Sequence, residues 1–183
     1  MPRTAPPAAS PLNPRLMPIF RRRSVRRYRA GAIPDRVVRD LLAAAMAAPS
    51  AVETDPWRFI VVRDRATLRR ISDGLPHGRM LRRAPLGIVV LGDIERAHAR
   101  LESYLLQDVS AAIENLLLAA SMLGLGACWL GVHPRPDRIE HLRRLFELPP
   151  NIVPISVVAV GRPAARPAAR TRYREDAVHW ERW

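Results

Sequence analysis

The sequence contains no lysine: all 30 of its basic residues are arginine, against 17 acidic ones, for a formal net charge of +13. A surplus of that size invites a nucleic-acid role, yet its pattern speaks against one. Arg36, Arg39, Arg63, Arg69, Arg96, Arg143 and Arg144 are spread along segments that also carry acids, as on solvated helix faces. Aromatic residues make up only 5% and are not interleaved with the basic clusters, so the stacking platform of single-strand binders is missing. Helix-turn-helix and zinc-finger spacings are also absent. The charge still favours small anionic ligands. Cysteine is nearly absent too. Cys128 alone forms no internal disulfide and gives no cue for export. No apolar run reaches the roughly 18–20 residues of a membrane span. Met1 to Leu16 lacks the continuous apolar stretch of a secretory signal. The expectation is a cytoplasmic protein with neither a nucleic-acid nor a membrane partner. His77, His98, His133, His141 and His179 show no metal-ligand spacing with each other or with Cys128, so no metal site is expected. Cys128 has no activating base beside it and reads as a buried strand residue, not a catalytic thiol.

What is present fits one domain. At 183 residues and 48% hydrophobic content the chain can bury a sizeable core. Pro2, Pro6, Pro7, Pro11 and Pro14 mark residues 1–17 as a disordered tail, leaving 18–183 as the domain. A short helix is expected over 19–24. Pro34 opens a second, with Val38, Leu41, Leu42, Ala45 and Met46 as an amphipathic stripe that Pro49 stops. Strands are expected over 59–62, 88–91, 127–130 and 155–160, and helices over 65–72 and 137–146. The stretch 104–123 is apolar on most sides, which predicts a central helix buried on several faces, with a partner subunit as one candidate to share it. The whole is α+β.

Four segments carry candidate chemistry. Arg22, Ser24 and Arg26 alternate beside Arg23; in an extended chain the alternating three point to one side, and arginine suits bidentate phosphate recognition. The same run also reads as a solvated basic turn. Between Pro49-Ser50-Ala51 and Pro56-Trp57 the prolines predict a rigid loop holding Glu53 and Asp55. Gly124-Leu125-Gly126 lets backbone approach a flat ligand, or simply caps a helix before the strand carrying Trp129, Leu130 and Gly131. Arg170 and Arg172 alternate again, in a segment that equally reads as a solvated linker. Trp180 and Trp183 predict a terminal tail that docks on something, since free tryptophan wastes burial.

In order, spacing and residue types, these segments together resemble the nitroreductase-like family of FMN-dependent oxidoreductases, from about Phe20 to Trp183. The resemblance implies a central, mostly antiparallel sheet flanked by helices, in an intertwined homodimer with two flavins at the interface. It implies FMN held by Arg22, Arg23, Ser24, Arg26, Pro49, Ser50, Ala51, Glu53, Asp55, Trp129, Leu130, Gly131, Arg170 and Arg172. NADH or NADPH is the implied electron donor, and a nitroaromatic, quinone or enone the small-molecule acceptor, in ping-pong order. No catalytic side chain is implied, because protein groups position and tune the ring. His133 lies just past the ring-facing segment, with nothing in the sequence to make it a proton donor. One departure stands out. The family usually carries Asn and Gln where this chain has Glu53 and Asp55, and an ionised carboxylate can only accept hydrogen bonds. Against a negatively charged flavin at ~4 Å, one carboxylate costs on the order of 4 kcal/mol at an effective dielectric near 20. The alternative is therefore a dimer of the same fold with weak or no flavin redox activity, serving as a ligand- or flavin-binding protein.

Overall fold

The structure, a computed structural model of one chain, describes residues 12–183. Helix α1 (Met17–Arg21) is followed by β1 (Tyr28–Arg29), α2 (Asp35–Met46), β2 (Trp57–Val62), α3 (Arg65–Asp73), β3 (Leu86–Asp93), α4 (Glu102–Met122), β4 (Gly126–Gly131), α5 (Pro136–Phe146) and β5 (Ile152–Pro163). The strands form one antiparallel sheet in which β5 is the hub: it pairs with β1, β3 and β4, and β2 lies outside β3. Ala127, Val160 and Leu86 share one row across the sheet, and Gly131, Ser156, Val90 and Phe59 share another.

Two apolar layers cover the sheet, and strand alternation sorts the residues between them. Leu86, Ile88 and Val90 of β3 pack with α2 and α4, whereas Val89 and Leu91 pack with α3 and α5. Every residue of β3 is buried, which explains why it reads as a continuous apolar run and not as an alternation. Helix α2 needs only one apolar stripe, Val38, Leu41 and Ala45. Helix α4 buries far more, from Leu105 to Ala120, and ends in exposed Met122 and Leu123. Asp64 caps α3, its carboxylate accepting the Thr67 N–H at 2.7 Å. No described helix is long and apolar enough to cross a membrane.

The expected elements are present, with longer strands, because ladder pairing continues past the apolar centre of each. Two expectations shift, and one short strand is new. The helix expected over 19–24 ends at Arg21: Arg22 is already extended, and Ser24 forms a parallel bridge with Ala127. Of the tail expected over 1–17, residues 1–11 lie outside the described ones, while Pro14–Leu16 forms a 3-10 turn and Met17 opens α1. The two-residue β1 carries no strand signal of its own; it exists because the end of β5 offers it a partner.

Candidate functional site

The arginine segments meet at the outer edge of β4. Val25 N–H donates to the Ala127 carbonyl at 2.9 Å, which lays Ser24 and Val25 against that edge. Gly126 permits the approach: a Cβ there would sit 2.6 Å from the Val25 side chain. The C-terminal segment is tied to the same place. Arg170 N–H donates to the Phe20 carbonyl at 3.2 Å, and Arg23 Nη1 donates to the Ala168 carbonyl at 2.6 Å. Arg23 consequently lies in the field of three other cations: desolvation, then the charges of Arg170, Arg22 and Arg172, hold its guanidinium below the usual arginine value. Arg22 pairs with Glu114 of α4 at 3.1 Å. Among the described residues Arg23, Arg170 and Arg172 make no ion pair. Four guanidinium groups with one paired carboxylate leave a local surplus of positive charge that suits an anion.

Arg26 faces elsewhere. It lines a cavity of about 190 Å³ beside β4 together with His77, Trp129, Leu130, Gly131 and Arg138. Arg138 Nη1 donates to the Gly131 carbonyl at 2.8 Å, fixing the end of the strand. No atom lies within 4 Å of where a Gly131 Cβ would stand, so the space before that backbone is open. Cys128 is buried behind it, and burial raises its thiol pKa, with Arg26 opposing. It is a packing residue, as its sequence context suggests. His133 Nε2 lies 3.2 Å from Glu102 Oε1, engaged with the start of α4.

The loop from Pro49 to Asp55 is a third part, built from backbone strain. Val52, Glu53 and Asp55 all have positive φ (48°, 56° and 48°), a conformation costly for non-glycine residues and worst for a β-branched one. Side chains hold it there. The Ser50 hydroxyl donates to Asp55 Oδ1 at 2.7 Å and accepts from the Asp55 N–H at 3.1 Å. Asp108 Oδ1 of α4 accepts from the Ala51 N–H at 3.0 Å. Asp55 is thus a staple within its own loop, and Glu53 is exposed. None of these loop residues lines the cavity beside β4. The loop meets α4 at Asp108 and the arginine cluster meets it at Glu114, six residues on. That separation is ~9 Å along the axis and a different side of the helix.

The nitroreductase family profile matches this sequence over residues 19–75 and 74–162. The chain belongs to the nitroreductase family. It is 44% identical over 168 residues to a candidate NADH dehydrogenase/NAD(P)H nitroreductase of Archaeoglobus fulgidus, covering 90% of this chain and 96% of that one. The crystal structure of a protein of the same description from Parabacteroides distasonis superposes with a TM-score of 0.87 at 40% identity, over 93% and 99% of the two chains. A candidate nitroreductase of Desulfovibrio desulfuricans, solved in complex with FMN, gives 0.80 at 33% identity over 93% and 98%.

In this member of the nitroreductase family, one chain gathers Arg22, Arg23, Arg170 and Arg172, and separately Arg26 with Trp129, Leu130 and Gly131. It holds Pro49, Ser50, Ala51, Glu53 and Asp55 apart from the arginine cluster. His77, Arg138 and Asp108 were not among the expected site residues. Arg138 and His77 carry no sequence signal, being two of many scattered basic residues. Asp108 does: it is an acid on the otherwise apolar face of α4. Trp180 and Trp183 do not dock within the chain; they are 78% and 101% exposed, with Trp183 stacked on His179 at 4.2 Å. Among the described residues no group of three or more His, Cys, Asp or Glu side chains is placed to hold a metal ion.

Proposed function

We infer that this chain is an FMN-dependent oxidoreductase that uses NADH or NADPH and works as a homodimer. The observation that carries the reading is the arrangement along the outer edge of β4. Four arginines stand at its Ala127 end and an open cavity with Arg26 at its Gly131 end, ~13 Å apart at strand rise. That is a phosphate site and a ring site at the two ends of one elongated, anionic ligand. The donor set fits FMN: guanidinium forks for the phosphate, the Ser24 hydroxyl for the ribityl chain, and backbone at 129–131 for the ring. Relatives described as NAD(P)H nitroreductases and as FMN reductase support the same reading, as does the neighbour in complex with FMN.

FMN held by these arginines, the Ser24 hydroxyl and the 129–131 backbone would supply hydride chemistry between NADH or NADPH and a nitroaromatic, quinone or enone, in ping-pong order. The chain's own residues bind and orient. Arg22, Arg23, Arg170 and Arg172 anchor the phosphate, and Arg138 fixes the Gly131 carbonyl so that the strand end meets the ring in one geometry. Arg26 places positive charge beside the ring. The loop 49–55 comes from the second copy, because its own chain holds it away from the arginine cluster. Exposed Met122, Leu123, Trp180 and Trp183 are apolar surface that a second copy would cover. No side chain acts as a nucleophile.

Purified protein should be yellow, and NADH or NADPH should bleach it without oxygen. Colourless protein that binds no added FMN would overturn the reading. The second reading, a dimer of this fold without flavin turnover, draws on Glu53 alone, since Asp55 is engaged by Ser50. Yellow protein that neither nucleotide bleaches would support it.

A further inference from the structure

Asp108 is the one described acid on the buried face of α4, flanked by Leu105, Val109 and Ala112, and only 6% exposed. One carboxylate oxygen accepts the Ala51 N–H at 3.0 Å; the other, Oδ2, is buried without a partner. For stability alone this is a poor choice. A buried carboxylate with an unmet acceptor is costly, and an apolar side chain would fill the place better. Seven residues on, and so on the same side of the helix, Asn115 Nδ2 donates to the Ala44 carbonyl at 3.2 Å, in the last turn of α2. Two polar groups in one stripe of an apolar helix thus hold the backbone of one segment, at its start and near its tip. What they hold is the strained loop, with three positive-φ residues in four positions. Such a conformation persists only where its surroundings impose it.

We propose that Asp108 and Asn115 are positioning residues for the flavin, acting through the backbone of residues 44–55. The proposal rests on the flavin reading above for its consequence, but not for the placement itself. Asp108 sets the height of Ala51 above α4, and so the position of the loop tip that the second copy's flavin meets. Because residues 49–55 carry no cation for the phosphate, loss of the tip falls equally on FMN and riboflavin.

The test compares Asp108→Ala, Asp108→Asn and Asn115→Ala in the full chain, by amide hydrogen exchange at residues 51–55 and by binding of FMN and of riboflavin. Asp108→Ala should speed exchange at Ala51 about tenfold and weaken both ligands about tenfold alike, from loss of one buried bond. Asp108→Asn keeps an acceptor for Ala51 N–H and should restore both readouts to within about threefold of wild type. Asn115→Ala should move both in the same direction by less, and it carries the test if Asp108→Ala does not fold. Unchanged exchange at Ala51 in Asp108→Ala would overturn the proposal. So would an asparagine variant as impaired as the alanine one, or a loss confined to FMN. Wild type that binds no flavin would sink the functional reading instead, and the exchange data would then decide the placement alone.

Discussion

The arginine cluster and the 49–55 loop are made by opposite means. The cluster is side-chain charge on ordinary backbone: Arg22, Arg23, Arg170 and Arg172 gather although Arg23 and its Ala168 anchor are 145 residues apart. The loop is unusual backbone held by hydrogen bonds, the Ser50 hydroxyl on Asp55 and the Ala51 N–H on Asp108. Charge acts over several ångströms and tolerates imprecision, so an anion site can be built on exposed, loosely held segments. Hydrogen bonding, the role proposed for the loop, needs placement to a few tenths of an ångström, and α4 clamps the loop from below through Asp108. The two regions should therefore fail differently. Damage to the cluster should depend on ligand charge and on salt, and damage to the loop should depend on neither.

The largest effect is expected from Arg170→Ala combined with Arg172→Ala. Each charge-assisted hydrogen bond is worth roughly 1.5–3 kcal/mol, so FMN should weaken about a hundredfold or more, while riboflavin barely changes. High salt should erase much of the difference, by screening. Equal losses for both ligands would mean that the C-terminal segment is a strut and not a phosphate site.

Next in size is Glu53→Asn, which removes the one loop carboxylate left free. FMN and riboflavin should both tighten, by about threefold to tenfold at an exposed position, and the flavin's reduction potential should rise. Asp55→Ala is the contrast. Its carboxylate oxygen accepts from Ser50, so the substitution should loosen the loop and leave binding unimproved. Potentiometry and titration of the two variants side by side decide whether the acids differ as their hydrogen bonding says.

The smallest effect lies outside both regions and calibrates them. Asp64→Ala should lower the melting temperature by a few degrees and leave ligand binding alone. The native carboxylate is held below the usual Asp range first by its backbone bond to Thr67, then by the Thr67 hydroxyl. A depressed native pKa gives stability that is present above the unfolded value of about 4 and lost as pH falls through the native one. Thermal unfolding of wild type and variant should therefore differ at pH 7 and converge toward pH 2. A gap that persists in acid would mean that the cap acts by helix propensity, not by its charge.

Much of this was legible in the chain. The apolar stripes of α2 and α4 and the runs of β3 and β5 follow from periodicity, which is local. The arginines at 22–26 and 170–172 could be singled out as anion-binding candidates by residue type, because guanidinium chemistry does not depend on the fold. What sequence could not show is where charge of one sign divides. Arg26, two residues from Ser24, lies toward the Gly131 end of β4 and not in the cluster, since the bridge at Ala127 is parallel and carries the chain along β4 in that direction. Nor could it show that Asp55 is already engaged by Ser50, or that Trp180 and Trp183 find no cover in their own chain.

By itself, then, the sequence determined the elements, the family and the chemistry of the ligand it suits, because helix period, strand alternation and side-chain type are properties of short segments. Only the tertiary structure decided which segments share a site. It put four arginines from two ends of the chain on one edge of β4, set the 49–55 loop on another side of α4, and revealed Asp108 beneath it. Those are long-range pairings, fixed by sheet register and by which face of a central helix each loop can reach, and no local pattern encodes them.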